Sequence, residues 1–128
     1  MLFVCSHNAG RSPMAAALLA HRANGHVVVS SAGTHPGAGV DPVVAQVPAE
    51  VGVDLSDAFP KPLTDEVVQA ADIVITMGCG DACPVLPGRR YLDWPVTDPE
   101  GAPLAVVRSI RDEIDAHITE LLASLPST

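Results

Sequence analysis

Met1-Leu-Phe-Val-Cys5-Ser6-His7-Asn8-Ala9-Gly10-Arg11-Ser12-Pro13 is the stretch whose reading decides the fold. Its first five residues are an apolar run without alternation, the pattern of a strand buried on both faces of a parallel sheet. Ser12-Pro13 then opens an Ala-rich stretch, Met14 to Ala23. Serine as N-cap with proline at the first helical position starts a helix, and Asn24-Gly25 stops it. A strand that runs through a few small residues into a helix places that loop at the strand's carboxyl end. Open α/β sheets bind their ligands there.

The remaining chain alternates in the same way. Val27 to Ser30 is short and β-branched, which predicts a second strand, and Ser31 to Gly39 predicts a loop. Asp41-Pro42 starts a helix with Val43, Val44, Val47 and Val51 apolar; Pro48 either kinks it or ends it near Ala45. Thr64 caps a short helix through Ala71. Asp72 to Met77 is the strongest strand, and Arg89 to Leu92 reads as a short fourth one. Val107, Ile110, Ile114, Ile118, Leu121 and Leu125 recur at steps of three and four, one apolar face of a last helix over about 104–125. The fold class is therefore α/β, a small parallel sheet wrapped by helices. Length predicts one domain over 1–128. The loops that matter are Ser6 to Ser12, Ser31 to Gly39, Gly78 to Gly88 and Asp93 to Gly101.

Composition removes several function classes. Seven Lys and Arg against fifteen Asp and Glu give a net charge of −8, so no basic stripe is available for nucleic acid. No apolar run is long enough to span a membrane, and no leader precedes the first strand-like run. Three cysteines in such a chain are too sparse for a disulfide scaffold. Catalytic or redox use in the cytoplasm fits them better.

The first loop carries the chemistry. Its spacing is Cys5-x5-Arg11-Ser12. Small residues at a helix N-terminus aim several backbone N–H groups at one spot, which makes an anion cradle from Ser6, His7, Asn8, Ala9 and Gly10. Arg11 adds a fork for two oxygens of a tetrahedral oxyanion. Cys5 lies at the floor, where the helix end and Arg11 favour the thiolate, a nucleophile set for in-line attack. Ser12 can donate a hydrogen bond to that sulfur. Asn8 can take the left-handed conformation a tight loop needs. The plainer readings are that Cys5 is a buried small residue ending a strand and that His7 only packs within the loop.

These residues resemble the low-molecular-weight tyrosine phosphatase fold family and, within it, the arsenate reductases built on that fold. The Cys-x5-Arg-Ser loop carries the resemblance. Ser30-Ser31-Ala32-Gly33-Thr34 is similar to the family's Ser-Ala-Gly segment, and Asp98-Pro99 to its Asp-Pro loop. The resemblance implies a four-stranded parallel sheet in the order 2-1-3-4, arsenate as substrate with phosphate or sulfate as mimics, and Asp98 as general acid. Asp-Pro is also a common turn starter, which is the plainer reading of Asp98.

Thr76-Met-Gly-Cys79-Gly-Asp-Ala-Cys83-Pro84 separates the two chemistries. A reductase needs further thiols, and Cys79 and Cys83 follow the third strand on the rim that holds Cys5. The resemblance to thioredoxin-coupled arsenate reductases implies a relay: Cys5–Cys79 forms first, then Cys79–Cys83, and thioredoxin or a mycothiol-type thiol resets the enzyme, with no bound cofactor and no metal. The Cys-x3-Cys spacing is shorter than in those enzymes and resembles an actinobacterial-type branch with Gly-Cys-Gly-Asp-x-Cys-Pro. Ala16 stands where several relatives carry Glu. Cys79 and Cys83 as inert thiols, or as a zinc pair recruiting His7 and His35, are the alternatives. Ser12-Pro13 resembles the phosphatase branch and supports the other activity: a tyrosine phosphatase hydrolysing phosphate monoesters through a phospho-cysteine. That enzyme needs aromatic walls, for which only Phe59 and Trp94 are candidates.

Overall fold

Leu2–Cys5 (β1) lies at the centre of a parallel sheet in a computed structural model of the chain, which describes residues 1–24, 27–55, 58–78, 88 and 90–124. On one side β1 pairs with Ser30–Gly33 (β2), in a register running from Leu2↔Ser30 to Cys5↔Gly33. On the other it pairs with Ile73–Thr76 (β3), which pairs in turn with Arg90–Asp93 (β4). The order is therefore β2-β1-β3-β4, as the family resemblance implies.

Helices cover both faces, which is why β1 shows no alternation. Phe3 and Cys5 join a core with Met14, Leu18 and Leu19 of Arg11–Ala23 (α1). Val44 and Val47 of Pro42–Ala49 (α2) belong to the same core, as do Val107, Ile110, Ile114, Ile118 and Leu121 of the last helix. Leu2 and Val4 face the opposite way, onto Val68 of the short helix Asp65–Gln69 (α3). The last helix, Leu104–Ser124 (α4), buries the five predicted apolar positions up to Leu121; Leu125 lies outside the described residues. Among the described residues no helix is long and apolar enough to cross a membrane.

Several element ends shift by a residue or two from the sequence reading, the short helix stopping at Gln69 rather than Ala71 and the fourth strand running Arg90–Asp93, and three larger differences have a physical reason. The second strand is Ser30–Gly33, not the β-branched Val27 to Ser30. Val28 is 88% exposed, whereas Ser31 and Ala32 are buried. Close packing against β1 selects small residues there, and pairing outweighs β-propensity. Helix α1 begins at Arg11, with Gly10 rather than Ser12 as N-cap. The first helical bond is Met14 N–H to the Gly10 carbonyl, so Pro13 sits where no donor is needed. Helix α2 neither stops at Ala45 nor ends on the proline. Asp41 accepts from the Val43 N–H at its start, and Pro48 is taken into the last turn, one residue before the end.

Helix α2 is pinned to α4 by Glu50. Its carboxylate accepts from Arg108 Nη2 at 2.7 Å and from Arg111 Nη1 at 3.1 Å. The Arg108 hydrogen bond is the main cause holding this carboxyl below its ordinary value of 4.5. A carboxyl lowered by folding stabilises the fold at pH above 4.5 and loses that contribution as the pH falls through its lower folded value. An exposed pair contributes little. Glu50→Gln should therefore melt slightly below the parent at pH 7, and the gap should be smaller at pH 3. Thermal unfolding at both pH values checks this; a gap of unchanged size would contradict it.

Candidate active site

The loop between β1 and α1 is held from outside by the segment after β2. Thr34 N–H donates to the Cys5 carbonyl at 3.2 Å, His35 N–H to Ser6 at 2.7 Å, Gly37 N–H to His7 at 2.9 Å and Asp41 N–H to Ala9 at 3.0 Å. A trans peptide points its C=O and N–H in opposite directions. The N–H groups that share those peptides, on Ser6, His7, Asn8 and Gly10, are therefore turned away from that segment. Among the described residues, none of the N–H groups from Ser6 to Ser12 donates to a loop or turn carbonyl. They stand at the N-terminus of α1, where the helix dipole adds positive charge.

Beneath them Cys5 is buried, with Sγ 2.9 Å from Ser12 Oγ. Ser12 is thus a partner of the sulfur and not a helix cap. Asn8 is fully buried and left-handed at φ 50°, as its place in a tight loop predicts. Its Oδ1 accepts from the Lys61 N–H at 2.8 Å, which fixes the amide orientation, since a backbone N–H can only donate. Its Nδ2 then donates to Ser12 Oγ at 2.7 Å. With that lone pair occupied, the Ser12 hydrogen is free to point at Cys5.

The loop closes against β2 through Gly33. A Cβ there would lie 2.8 Å from the Ser6 carbonyl and 2.9 Å from the Asn8 nitrogen, both backbone atoms that cannot give way. Gly10 does the same on the far side, where a Cβ would meet Pro99 Cγ at 2.9 Å. That contact seats the Asp98-Pro99 turn directly against the first loop.

Arg11 spans the two. Its Nη1 donates to the Val96 carbonyl at 3.3 Å and its Nη2 lies 3.8 Å from Asp98 Oδ2. The other Asp98 oxygen accepts from the Glu100 N–H at 3.1 Å. The Arg11 side chain is mostly buried while that of Asp98 is 45% exposed, so the pair is loose and the carboxylate open to solvent. Cys5, His7, Gly10, Arg11, Asp98 and Glu100 line one cleft of about 340 Å³. His7 Nδ1 donates to the His35 carbonyl at 3.1 Å, so it braces the rim. Such a cleft can hold a tetrahedral oxyanion over a thiolate, with a carboxyl beside it.

Cys5, Ser12, Arg11 and Asp98 are thus brought together as the sequence reading expects. Cys79 and Cys83 lie outside the described residues. Among those described, no group of three or more His, Cys, Asp or Glu is placed to hold a metal. Phe59 and Trp94 do not line the cleft. Phe59 is on the surface under Lys61 Nζ, and Trp94 is buried between Phe3 and His117, stacked on the histidine ring at 5.0 Å. An indole this large is more useful filling the core beside α4 than walling a cleft. Sequence reasoning missed the Lys61 N–H and the Val96 carbonyl, which are backbone atoms with no side-chain signature. Gly33 and Gly78 were legible only as loop residues, Gly33 also within the Ser-Ala-Gly segment.

Comparisons with known proteins agree with this geometry. The family model described as low molecular weight phosphotyrosine protein phosphatase matches residues 1–128. A putative arsenate reductase of Halobacterium salinarum is 35% identical over 124 residues, covering 93% of this chain and 87% of the relative. A thioredoxin-dependent arsenate reductase of Corynebacterium glutamicum superposes with a TM-score of 0.84 at 53% identity over 96% of this chain; this chain spans only 59% of that one. A low molecular weight protein tyrosine phosphatase from T. tengcongensis superposes with a TM-score of 0.87 at 27% identity, covering 97% of each chain. With a match over its whole length and the family's sheet order around a Cys-x5-Arg-Ser loop, the chain belongs to the low molecular weight phosphotyrosine protein phosphatase family.

Proposed function

We propose that the protein reduces arsenate to arsenite, with Cys5 as nucleophile, Cys79 and Cys83 as a disulfide relay and an external thiol system as electron donor. The observation that carries the first half is the ladder of outward carbonyls, which among the described residues leaves the loop N–H groups without a loop or turn acceptor near the Cys5 sulfur, with the Arg11 guanidinium held beside them by the Val96 carbonyl and Asp98. Support for the second half comes from the relatives named arsenate reductases and from two further cysteines in the chain. Among the described residues no Phe, Tyr or Trp lines the cleft, which favours a small inorganic anion over a phenyl phosphate.

Arsenate sits among the N–H groups of Ser6 to Gly10 with Arg11 gripping two of its oxygens. Phosphate or sulfate, tetrahedral and similar in size, occupies the same place. The Cys5 thiolate attacks arsenic, and one arsenate oxygen leaves as water after taking a proton from Asp98. The Cys79 thiolate then attacks the Cys5 sulfur. A disulfide forms, the S–As electron pair passes to arsenic, and arsenite departs. Cys83 attacks Cys79, frees Cys5 and leaves Cys79–Cys83, which thioredoxin or a mycothiol-type thiol reduces. Such a cycle belongs to the reducing cytoplasm.

Two tests follow from this scheme. Cys83→Ser treated with one equivalent of arsenate should accumulate the Cys5–Cys79 disulfide, read by non-reducing peptide mass spectrometry, and Cys5→Ser should give neither disulfide nor arsenite. A Cys83→Ser variant that turned over normally would rule out the relay. Ser12→Ala removes the hydroxyl donor at the sulfur; a hydrogen bond to a charged group contributes roughly 1.5–3 kcal/mol, so single-turnover attack on arsenate should slow about 10- to 100-fold. An unchanged rate would show that the 2.9 Å contact does not support the thiolate.

A further inference from the structure

The Arg11 guanidinium lies against a backbone that has no room for a side chain. Gly78 lies two residues beyond the end of β3 with φ +92°, a conformation L-residues rarely adopt. A Cβ built there would collide with Arg11 Nη1 and stand 3.2 Å from Cζ. Other left-handed glycines differ: at Gly52 (φ +83°) a Cβ would meet nothing within 4 Å, and at Gly101 (φ +70°) likewise. Gly78 thus combines a backbone reason with a steric one, and the steric one concerns a single group.

That group is anchored at both ends. Arg11 is fixed at its Cα by the first turn of α1, and its head is held by the Val96 carbonyl on one side and Asp98 on the other. A new methyl at residue 78 would meet the far end of a long side chain, which gives way before backbone does. The guanidinium would leave the Val96 carbonyl and its position beside Asp98, while the loop around Cys5, tied to segment 34–41, would stay as it is.

We propose that Gly78 is a positioning residue for oxyanion binding: the missing side chain is the slot that seats Arg11 over the cleft. The proposal rests on the reading of Arg11 as the oxyanion fork.

The test measures how phosphate protects Cys5 from iodoacetamide in the fully reduced protein, followed at Cys5 by peptide mass spectrometry, beside the melting temperature. Gly78→Ala should raise the half-protecting phosphate concentration about tenfold or more, the loss of a charge-assisted contact. Arg11→Ala should do the same, and the double variant should be no worse than Arg11→Ala alone. Gly52→Ala, equally left-handed but uncrowded, should stay within about twofold of the parent while losing a similar amount of thermal stability. Wild-type protection in Gly78→Ala beside a damaged Arg11→Ala overturns the proposal alone. Wild-type protection in Arg11→Ala overturns the fork reading and the proposal with it. If Gly78→Ala does not fold, a folded Arg11→Ala/Gly78→Ala protein supports the proposal, because the clash has been removed. An unfolded double variant overturns it, because backbone strain alone then accounts for the glycine.

Discussion

A peptide unit that turns its carbonyl one way turns its N–H the other, and the loop after β1 is built on that constraint. Segment 34–41 binds the carbonyls of Cys5, Ser6, His7 and Ala9, so the loop cannot rotate its amides without breaking bonds to a neighbour. Gly33 permits this close approach, because any side chain there would strike the Ser6 carbonyl. The consequence is a set of donors fixed in direction before any anion arrives. Preorganised dipoles cost no reorganisation at the moment of reaction, and they explain how a chain of net charge −8 can hold an anion. The protein concentrates positive potential at one helix end and needs no positive surface.

From that loop the remaining site follows by contact. Asn8 takes the left-handed position, reaches the Lys61 N–H, and so aims Ser12 at Cys5. Gly10 lets Pro99 close in, which brings Asp98 within reach of Arg11. Phosphatases and reductases share this first half, attack on a tetrahedral centre with a proton supplied to the leaving oxygen. They part at the second step, where water or another thiolate attacks the cysteine adduct. The cleft bears on that choice indirectly, through the burial of Trp94 between Phe3 and His117 and the surface position of Phe59.

Much of this was legible in the residues, and the failures share a cause. The unbroken apolar run of β1, the three-and-four spacing of α4 and the Cys5-x5-Arg11-Ser12 loop are local patterns, and each appears where the pattern puts it. Sheet order came through the resemblance, since spacing alone does not order parallel strands. Ser12 was misread as a cap because serine before proline carries the same local signal whether its hydroxyl caps a helix or meets a sulfur seven residues back. Val27 to Val29 look more strand-like than Ser30–Gly33, yet only the small residues fit beside β1 under α1. The Lys61 N–H and the Val96 carbonyl reach Asn8 and Arg11 from 53 and 85 residues away, and no local pattern announces them.

The most direct test of the account is arsenate-dependent NADPH oxidation by the reduced protein, supplied in turn with thioredoxin and its reductase and with a mycothiol-based donor system. The account predicts sustained oxidation with at least one donor, lost when any of Cys5, Cys79 or Cys83 is replaced by serine. No oxidation with either donor, in a preparation that hydrolyses phosphate monoesters efficiently, would contradict it and make the Cys5 adduct a phospho-cysteine opened by water.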